Sequence, residues 1–166
     1  MHTHVVVDSP IGPLTLVAAD GRLTGLYMAT QRHRPGHEIV GPPGEEKAEP
    51  FASAADQLGA YFAGQLTEFD LPLAPAGTQF QRAVWAALQQ IPYGETWSYG
   101  QLASKIGSPA AVRAVGLANG RNPIAVIIPC HRVIGADGGL TGYGGGLERK
   151  RYLLHLEAGL VNPRIR

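Results

Sequence analysis

The sequence has little of several features that would place it in other classes of protein. It contains one cysteine, Cys130, so neither an intramolecular disulfide nor a multi-cysteine zinc site can form. Charged residues make up only 16% of the chain, and no segment has the extreme bias of a disordered or fibrous protein. The longest apolar runs, such as Ile124–Ile128, are far shorter than the roughly 18 residues of a membrane span. No basic region followed by an apolar core opens the chain, so we expect a globular, cytoplasmic protein without a membrane segment.

Charge is distributed unevenly, although the formal net charge is only +1. Residues 1–76 contain 4 Lys or Arg and 9 Asp or Glu, a net charge of −5, whereas residues 77–166 contain 10 and 4, a net charge of +6. This shift, next to a linker-like stretch at Pro72–Gly77, predicts two domains: 1–76 with the linker, and 77–166. The basic domain is a candidate for contact with a polyanion such as nucleic acid.

The N-terminal domain is predicted to be a small α/β unit. Runs rich in β-forming residues at His4–Val7, Leu14–Ala18 and Leu23–Met28 alternate with turn signals, which is typical of an antiparallel meander. Apolar residues then recur at helical spacing over 51–62, and Gly64 follows as a stop signal.

The C-terminal domain is predicted to be mostly helical. Capping boxes at Thr78 and Ser98 open two helices, and Ser108-Pro109 predicts the start of another that runs to Gly120. Two short helices joined at Gly107 match helix-turn-helix spacing, which ordinary αα-hairpins share. Small residues around one arginine let a backbone approach closely and favour the DNA-binding alternative: Ala110-Ala111-Val112-Arg113-Ala114-Val115-Gly116.

One segment carries a candidate nucleophile. The apolar run Ile124–Ile128 predicts a buried strand, and Cys130 follows it. A buried thiol has too high a pKa to react unless a base, a cation or backbone donors favour the thiolate. His131 and Arg132 are candidates for that help, although a Cys-His pair alone more often indicates a buried cysteine beside a hydrogen-bonded histidine.

Several motifs together resemble one known family, the O6-alkylguanine-DNA alkyltransferases, also called methylated-DNA–protein-cysteine methyltransferases. The resemblance covers essentially the whole chain and is highly specific in the C-terminal domain. The N-terminal segment Ser9-Pro10-Ile11-Gly12 is similar to the family's ribonuclease-H-like domain and is less diagnostic. The motifs that carry the resemblance are Pro129-Cys130-His131-Arg132-Val133, Ile91-Pro92-Tyr93-Gly94-Glu95-Thr96, Ser98-Tyr99, Arg113-Ala114-Val115-Gly116, Asn122-Pro123 and Tyr143-Gly144-Gly145-Gly146.

The resemblance implies an α+β fold: an N-terminal ribonuclease-H-like antiparallel sheet with a helix, and a mostly helical C-terminal domain with a winged helix-turn-helix. It implies DNA repair by direct damage reversal, in which Cys130 irreversibly takes the alkyl group, typically methyl, from O6 of guanine. The implied partner is double-stranded DNA containing O6-alkylguanine. Neither a cofactor nor a metal is implied, and we expect a monomer that can cluster on DNA.

The resemblance also implies the catalytic residues. Cys130 corresponds to the alkyl acceptor, His131 to the base that takes the thiol proton through a water, and Glu157 to the carboxylate that orients this histidine. Asn122 corresponds to a hinge residue that ties the helix-turn-helix to the active-site loop, and Tyr99 to a hydroxyl donor for the guanine ring. Without the resemblance, the ordinary interpretations would be a surface glutamate for Glu157, a turn asparagine for Asn122 and a packing tyrosine for Tyr99.

For the base pocket, the resemblance implies that Tyr143 forms a wall, that the backbone at Gly144 approaches the flat base, and that Val133 is a further contact. Many relatives have serine where this chain has Gly144, so only a backbone N–H is available there.

For DNA, the resemblance implies that Arg113 enters the base stack in place of a flipped nucleotide. The small residues Ala114 and Gly116 let the second helix lie in the minor groove, and Ser98 is a further DNA contact. Trp97 is either a packing residue or a contact to flanking DNA.

The sequence also bears on three functions other than alkyl transfer. A non-catalytic alkyltransferase-like DNA-binding module, the main alternative, would lack the acceptor cysteine that is present here as Cys130. A cysteine hydrolase usually has its histidine far from the nucleophile in sequence, whereas His131 is adjacent. A sequence-specific regulator needs base-reading side chains on its second helix, and Ala, Val and Gly provide few.

Overall fold

The computed structural model of the protein describes residues 1–31, 34–140 and 142–160. Within them the chain has an α+β fold, with an antiparallel sheet and a helix in the N-terminal half and mostly helices in the C-terminal half. The predicted fold class is confirmed. No helix in these ranges is both long enough and apolar enough to span a membrane.

The N-terminal sheet is the predicted meander. Its strands β1 (Thr3–Val7), β2 (Leu14–Ala19) and β3 (Arg22–Met28) lie in chain order as antiparallel neighbours. The tight connection at Asp20-Gly21 uses positive φ angles of 53° and 77°, which glycine adopts freely and aspartate tolerates. Nearly all of β2 is buried, so both faces of this central strand are covered.

Two helices follow the sheet. The short helix α1 spans His37–Val40, and α2 spans Phe51–Phe62 with the bounds that the apolar spacing predicts. One face of α2 is buried in the core, as expected for an amphipathic helix. The buried residues of that face are Phe51, Ala54, Leu58, Tyr61 and Phe62.

Both capping boxes form as predicted. Helix α3 (Gln79–Leu88) begins after Thr78, and α4 (Tyr99–Lys105) begins after Ser98, which ends the two-residue strand β4 (Trp97–Ser98). In each box the hydroxyl accepts a hydrogen bond from the backbone N–H three residues on, and the glutamine there accepts from the cap residue's N–H. These reciprocal bonds fix where each helix starts.

The helix-turn-helix is present, but its second helix starts later than predicted. Helix α5 spans Val112–Gly120, and the four residues before it form a turn in which the Ala111 N–H donates to the Ser108 carbonyl. The Ser108 N–H is already used by the end of α4, where it donates to the Ala103 carbonyl. Ser108-Pro109 therefore belongs to the connection between the helices, and the predicted start was wrong by one turn.

The apolar run before Cys130 is buried as predicted, but it is not a strand. A single bridge joins Ile124 to Leu26 of β3, after which the chain turns so that the Ile128 N–H donates to the Ile124 carbonyl. Val126 has a positive φ of 71°, which no β-strand contains. The prediction failed because a short continuous apolar run has no periodicity that separates a strand from a buried turn.

The last helix that the structure describes returns to the cysteine. Cys130–Arg132 form one 3₁₀ turn, which leads into the two-residue strand β5 (Val133–Ile134). This strand pairs in parallel with β4, and Trp97 of that pair packs against the core. Helix α6 (Leu147–Glu157) then brings its last residue back to the 3₁₀ turn.

The core is continuous between the two halves of the chain. Buried apolar residues of the sheet, of α2 and of the C-terminal helices form one cluster. The linker-like stretch is also fixed to the sheet, because the Leu23 N–H donates to the Pro72 carbonyl and the Leu23 carbonyl accepts from the Ala74 N–H, each at 2.8 Å. A boundary near Ala76 stays a prediction, and the two sides of it share their apolar packing.

The shared core predicts that Leu26→Ala destabilises the whole chain. Leu26 is fully buried where β3 meets the turn before Cys130, so its truncation should lower the free energy of unfolding by about 2–5 kcal/mol. Urea denaturation followed by circular dichroism measures the change. Leu117→Ala is the matched control, because Leu117 is 69% exposed and its loss should cost less than about 0.5 kcal/mol. Equal effects of both variants would contradict the shared core.

Candidate active site

Cys130 lies at the start of the 3₁₀ turn and is only 5% exposed. The turn that precedes it is held by Asn122, whose side chain accepts from the Ile124 N–H at 3.0 Å and donates to the Ile128 carbonyl at 2.8 Å. This amide adds to the backbone bonds of the turn, in which Pro123 and Pro129 have no N–H group to donate. Asn122 thus connects the end of the helix-turn-helix to the segment that presents the thiol.

Burial raises the pKa of the Cys130 thiol above its usual value. Several groups work in the opposite direction and favour the thiolate, of which a hydrogen bond from the Asn122 side chain and the positive charge of Lys150 are the largest. Lys150 is fully buried on α6, and its Nζ donates to the Val133 carbonyl at 2.6 Å. The thiol is therefore mainly protonated at rest, in surroundings that stabilise its charged form.

Tyr143 completes the surroundings of the thiol. Its side chain is 6% exposed, and burial together with the nearby Cys130 raises the pKa of its phenol well above the usual value. Among the residues that the structure describes, the Tyr143 hydroxyl has no hydrogen-bond partner of ordinary geometry. It faces the thiol closely enough to favour the thiolate and remains available as a donor.

Next to the cysteine, His131 is fully buried and contacts Glu157, the last residue of α6. The His131 Nε2 and the Glu157 Oε2 are 2.7 Å apart. Burial alone would raise the pKa of Glu157, but hydrogen bonds and charges from His131 and Arg132 outweigh it and lower the pKa to about 2. Glu157 is therefore ionised at neutral pH, so the bond is donated by His131 Nε2.

His131 itself is neutral at neutral pH. Burial lowers its pKa below the usual value, although Glu157 works in the opposite direction. With the proton on Nε2, the lone pair of the ring is on Nδ1, and this atom has no hydrogen-bond partner in the part of the chain that the structure describes. A buried neutral imidazole with a carboxylate on one nitrogen and a free lone pair on the other is equipped to accept a proton.

Arg132 is not the cation beside the Cys130 thiolate for which the sequence makes it a candidate. It points to Glu157 rather than to the thiol: its Nε donates to Oε1 at 2.7 Å, and one terminal nitrogen donates to Oε2 at 3.0 Å. The other terminal nitrogen donates to the Ile91 carbonyl at 2.7 Å, and the guanidinium lies 5.7 Å from the centre of the Tyr93 ring. Arg132 stabilises the carboxylate of Glu157 and is not a counter-ion for Cys130.

Two adjoining spaces lie outside the thiol. A small cavity of about 10 Å³ is lined by Cys130, Asn122 and Tyr143, among others, and an open pocket of about 330 Å³ is lined by Tyr99, Tyr143 and the second helix. Tyr143 and Gly144 line both, so this loop separates the outer pocket from the thiol. A different cleft, of about 280 Å³, lies beside Tyr93 and Arg132 and does not include the thiol.

The predicted DNA-contacting residues lie on the helix-turn-helix, and none of them is among the described residues that line the small cavity beside the thiol. Arg113 and Ala114 are exposed in the first turn of α5. Gly116 faces the Tyr99 ring, where an added Cβ would lie 3.7 Å from the ring. Ser98 caps α4, so its hydroxyl is already an acceptor for the Gln101 N–H.

Val133 is the one predicted pocket residue that the structure does not bring to either space. It is fully buried in β5, opposite Trp97, and its carbonyl accepts the hydrogen bond from Lys150. Among the described residues that line the small cavity and the outer pocket, Val133 is absent.

Sequence reasoning missed three residues of the site. Lys150 lies in the run Arg149-Lys150-Arg151, which reads as a solvated helix face, and nothing local marks it as buried. Tyr61 of α2 donates to Glu157 from 96 residues away, and no sequence signal connects the two. Gln31 lines the small cavity from the loop after β3.

Within residues 1–31, 34–140 and 142–160, no three His, Cys, Asp or Glu side chains lie together as a metal site would require.

Comparison with known proteins connects this geometry to a family. Models of the ribonuclease-like domain and of the DNA binding domain of 6-O-methylguanine DNA methyltransferase match residues 3–75 and 79–159. A methylated-DNA–protein-cysteine methyltransferase of Mycolicibacterium paratuberculosis is 61% identical over 151 residues, which cover 91% of this chain and 89% of the relative. The chain belongs to the 6-O-methylguanine DNA methyltransferase family.

Other members of this methyltransferase family agree in sequence and in structure. The methylated-DNA–protein-cysteine methyltransferase of Methanosarcina acetivorans is 53% identical over 154 residues, 93% of this chain and 97% of the relative. A crystal structure of Mycobacterium tuberculosis OGT in complex with DNA superposes with a TM-score of 0.87 at 57% identity, covering 96% of this chain and 94% of the other.

The raised pKa of the Cys130 thiol predicts how it reacts with a small electrophile. Alkylation by iodoacetamide should be slower at pH 7 than that of free cysteine, and its rate should still rise with pH beyond the usual thiol pKa, since only the thiolate reacts. Intact mass measures the rate, and the site is unambiguous because Cys130 is the single cysteine. Free cysteine in the same buffers is the control for the reagent. A rate that levels off below pH 7 would mean that the resting thiol is already ionised.

Proposed function

We propose that this protein repairs alkylated DNA by direct damage reversal, moving the alkyl group, typically methyl, from O6 of guanine to Sγ of Cys130. The observation that carries this proposal is the buried Cys130 beside a neutral His131 whose other nitrogen donates to the ionised Glu157. The family relationship supports it, since relatives that share most of their length with this chain are named methylated-DNA–protein-cysteine methyltransferases.

The proposed reaction is one displacement. The proton of the Cys130 thiol moves through a water to Nδ1 of His131, and the resulting thiolate attacks the alkyl carbon. The S–C bond forms as the C–O6 bond breaks, and the electron pair stays on guanine. Guanine remains in the DNA and becomes neutral by taking up one proton, which balances the proton that the thiol gave up. Tyr99 is assigned the role of hydroxyl donor to the guanine ring as that charge develops.

The pocket assignments follow the same proposal. Tyr143 forms the wall between the outer pocket and the thiol, and the Gly144 backbone approaches the base. Because an alkylated guanine is far larger than a cavity of about 10 Å³, the loop that carries Tyr143 has to move when the base enters. Val133 would act through its backbone or through the position of Lys150, since its side chain is enclosed.

Binding to duplex DNA is assigned to the helix-turn-helix. Arg113 and Ala114 are exposed on α5, where small side chains permit close approach to a minor groove, and Arg113 is proposed to replace the flipped nucleotide in the stack. The net charge of +6 on residues 77–166 supports phosphate contact. Ser98 and Gly116 would serve this surface through the backbone, because Ser98 is the α4 cap.

The protein would act as a monomer on double-stranded DNA containing O6-alkylguanine, in the cytoplasm, without a cofactor. The alternative of a non-catalytic alkylated-DNA-binding module is less well supported, because such a module has no use for a thiol beside a histidine–carboxylate pair.

The proposal predicts single-turnover transfer to Cys130. Incubation with duplex DNA containing O6-methylguanine should add one methyl group to the intact mass, mapped to Cys130 by peptide sequencing, since a thioether has no second thiol to pass the group to. Cys130→Ser should remove the shift while leaving DNA binding largely unchanged. Repair of many equivalents of substrate by one equivalent of protein would contradict the proposal, as would binding without any mass shift.

The proposed wedge predicts that Arg113→Ala discriminates between two substrates. Transfer from duplex DNA should slow by about 10- to 100-fold, since flipping costs roughly a few kcal/mol, whereas transfer from a free O6-alkylguanine base should be almost normal. Single-turnover rates on both substrates measure the difference. Arg82→Ala is the control for loss of charge, because Arg82 is exposed on α3 in the same basic half. Equal losses on duplex and free base would place Arg113 in the pocket or the fold.

A further inference from the structure

The carboxylate that orients His131 receives a hydrogen bond from the other half of the chain. Tyr61 lies in the last turn of α2, and its side chain is fully buried. Its hydroxyl donates to Oε2 of Glu157 at 2.6 Å, the oxygen that also accepts from His131 Nε2 at 2.7 Å. A hydrogen bond from a hydroxyl to a carboxylate at this distance is of the strong, charge-assisted kind.

Tyr61 is the donor to Glu157 that comes from outside the cysteine segment. The other described donors, His131 and Arg132, directly follow Cys130 and move with the 3₁₀ turn. Tyr61 instead belongs to a helix of the ribonuclease-like part that packs in the shared core. Its hydroxyl therefore gives Glu157 a reference point that is independent of the active-site segment.

The ring of Tyr61 is held firmly enough to define where its hydroxyl lies. It packs edge-on against Phe62 at 5.2 Å between ring centres, against Phe69 at 5.2 Å and edge-on against Tyr93 at 6.3 Å. Tyr93 in turn lies under the Arg132 guanidinium. Removing the hydroxyl alone leaves these apolar contacts in place, so Tyr61→Phe separates the hydrogen bond from the packing.

We propose that Tyr61 is a positioning residue for alkyl transfer, through which the ribonuclease-like part fixes Glu157 and so orients His131 toward the thiol of Cys130. The inference rests on the proposed function, and it assigns a direct contribution to the reaction to a part of the chain that lies outside the thiol pocket. Tyr61 acts through Glu157 and touches no reacting atom.

The chemistry of the shared oxygen gives the direction of the effect. Tyr61 and His131 both draw on the negative charge of Oε2, so losing the Tyr61 donor leaves more of that charge facing His131. Protonated His131 is then better stabilised, so its pKa rises. The transfer rate falls at low pH because protonated His131 cannot take the thiol proton. This fall, the acid limb of the pH–rate profile, therefore moves to higher pH. The other titratable or charged groups that face this pair are Arg132, Lys150, Tyr93, Cys130 and Tyr143, and Tyr61→Phe leaves all of them in place.

The test is the pH profile of transfer from a free O6-alkylguanine base, which avoids any contribution of DNA binding. Tyr61→Phe should transfer three- to tenfold more slowly at its optimum and show an acid limb at least 0.5 pH units higher than that of the unaltered protein. Tyr27→Phe is the matched control, because Tyr27 is a buried tyrosine of β3 in a separate apolar cluster and should leave both quantities unchanged.

A second variant tests the same bond with the opposite sign. Incorporation of 3-fluorotyrosine at position 61 keeps the ring and the hydroxyl but makes the hydroxyl a stronger donor, so the acid limb should move to lower pH. The imidazole resonances of His131 in nitrogen-15 NMR report the same ionisation without any substrate. This arm therefore decides the inference even if Tyr61→Phe does not fold.

Three outcomes would overturn the inference. Unchanged rate and acid limb in Tyr61→Phe would mean that the bond does not affect His131. A transfer rate that falls by the same factor at every pH would mean that Tyr61 serves the fold alone, provided that Tyr61→Phe causes the same loss of rate in a Glu157→Gln background. An unchanged His131 titration in both position-61 variants would have the same meaning. Failure of the unaltered protein to alkylate Cys130 would instead refute the proposed function, and the NMR titration would still judge the Tyr61 bond.

Discussion

A single ionised carboxylate, buried in the core, sets the positions of much of this molecule. Glu157 is 6% exposed, and a charge in that environment costs several kcal/mol unless donors surround it. His131, Arg132 and Tyr61 provide those donors, and each comes from a segment that must reach the end of α6. The 3₁₀ turn, α2 and α6 are therefore held together by one group. Apolar packing brings these segments together, and the carboxylate determines how they meet.

That arrangement reconciles two conflicting needs at Cys130. In the proposed reaction the thiol has to be enclosed so that the alkylated guanine is held against it, yet enclosure raises the pKa of the thiol. Lys150 and the Asn122 amide offset part of the penalty, and His131 is kept neutral by its own burial. In the proposed reaction, a neutral His131 is thus available at neutral pH to take the proton that the Cys130 thiol still holds. Charge in the resting site is concentrated on Glu157, Arg132 and Lys150.

Features encoded in neighbouring residues could be predicted from the sequence, and features that depend on distant contacts could not. The boxes at Thr78 and Ser98 each close within four residues, so both helix starts followed from the sequence. The apolar run Ile124–Ile128 predicts a strand but forms a turn, because that turn depends on the Asn122 side chain and on a bridge to β3. The partner of Arg132 lies 25 residues away and that of Tyr61 lies 96 away, separations at which no local pattern selects a partner. Motif resemblance supplied Cys130, His131 and Glu157, although their family roles are not visible in composition or spacing.

The narrowness of the space beside the thiol bears on how long a molecule remains usable. A protein that spends its one acceptor group in a single reaction loses its capacity with every accidental encounter, whether with peroxide, a disulfide or a stray electrophile. Cys130 lines a cavity of about 10 Å³, which has room for about one water molecule, so most such reagents do not fit beside the thiol. The protonated thiol is also a poor target for oxidation, which proceeds through the thiolate. Enclosure thus helps to keep the thiol unreacted between the synthesis of the protein and its encounter with a damaged base.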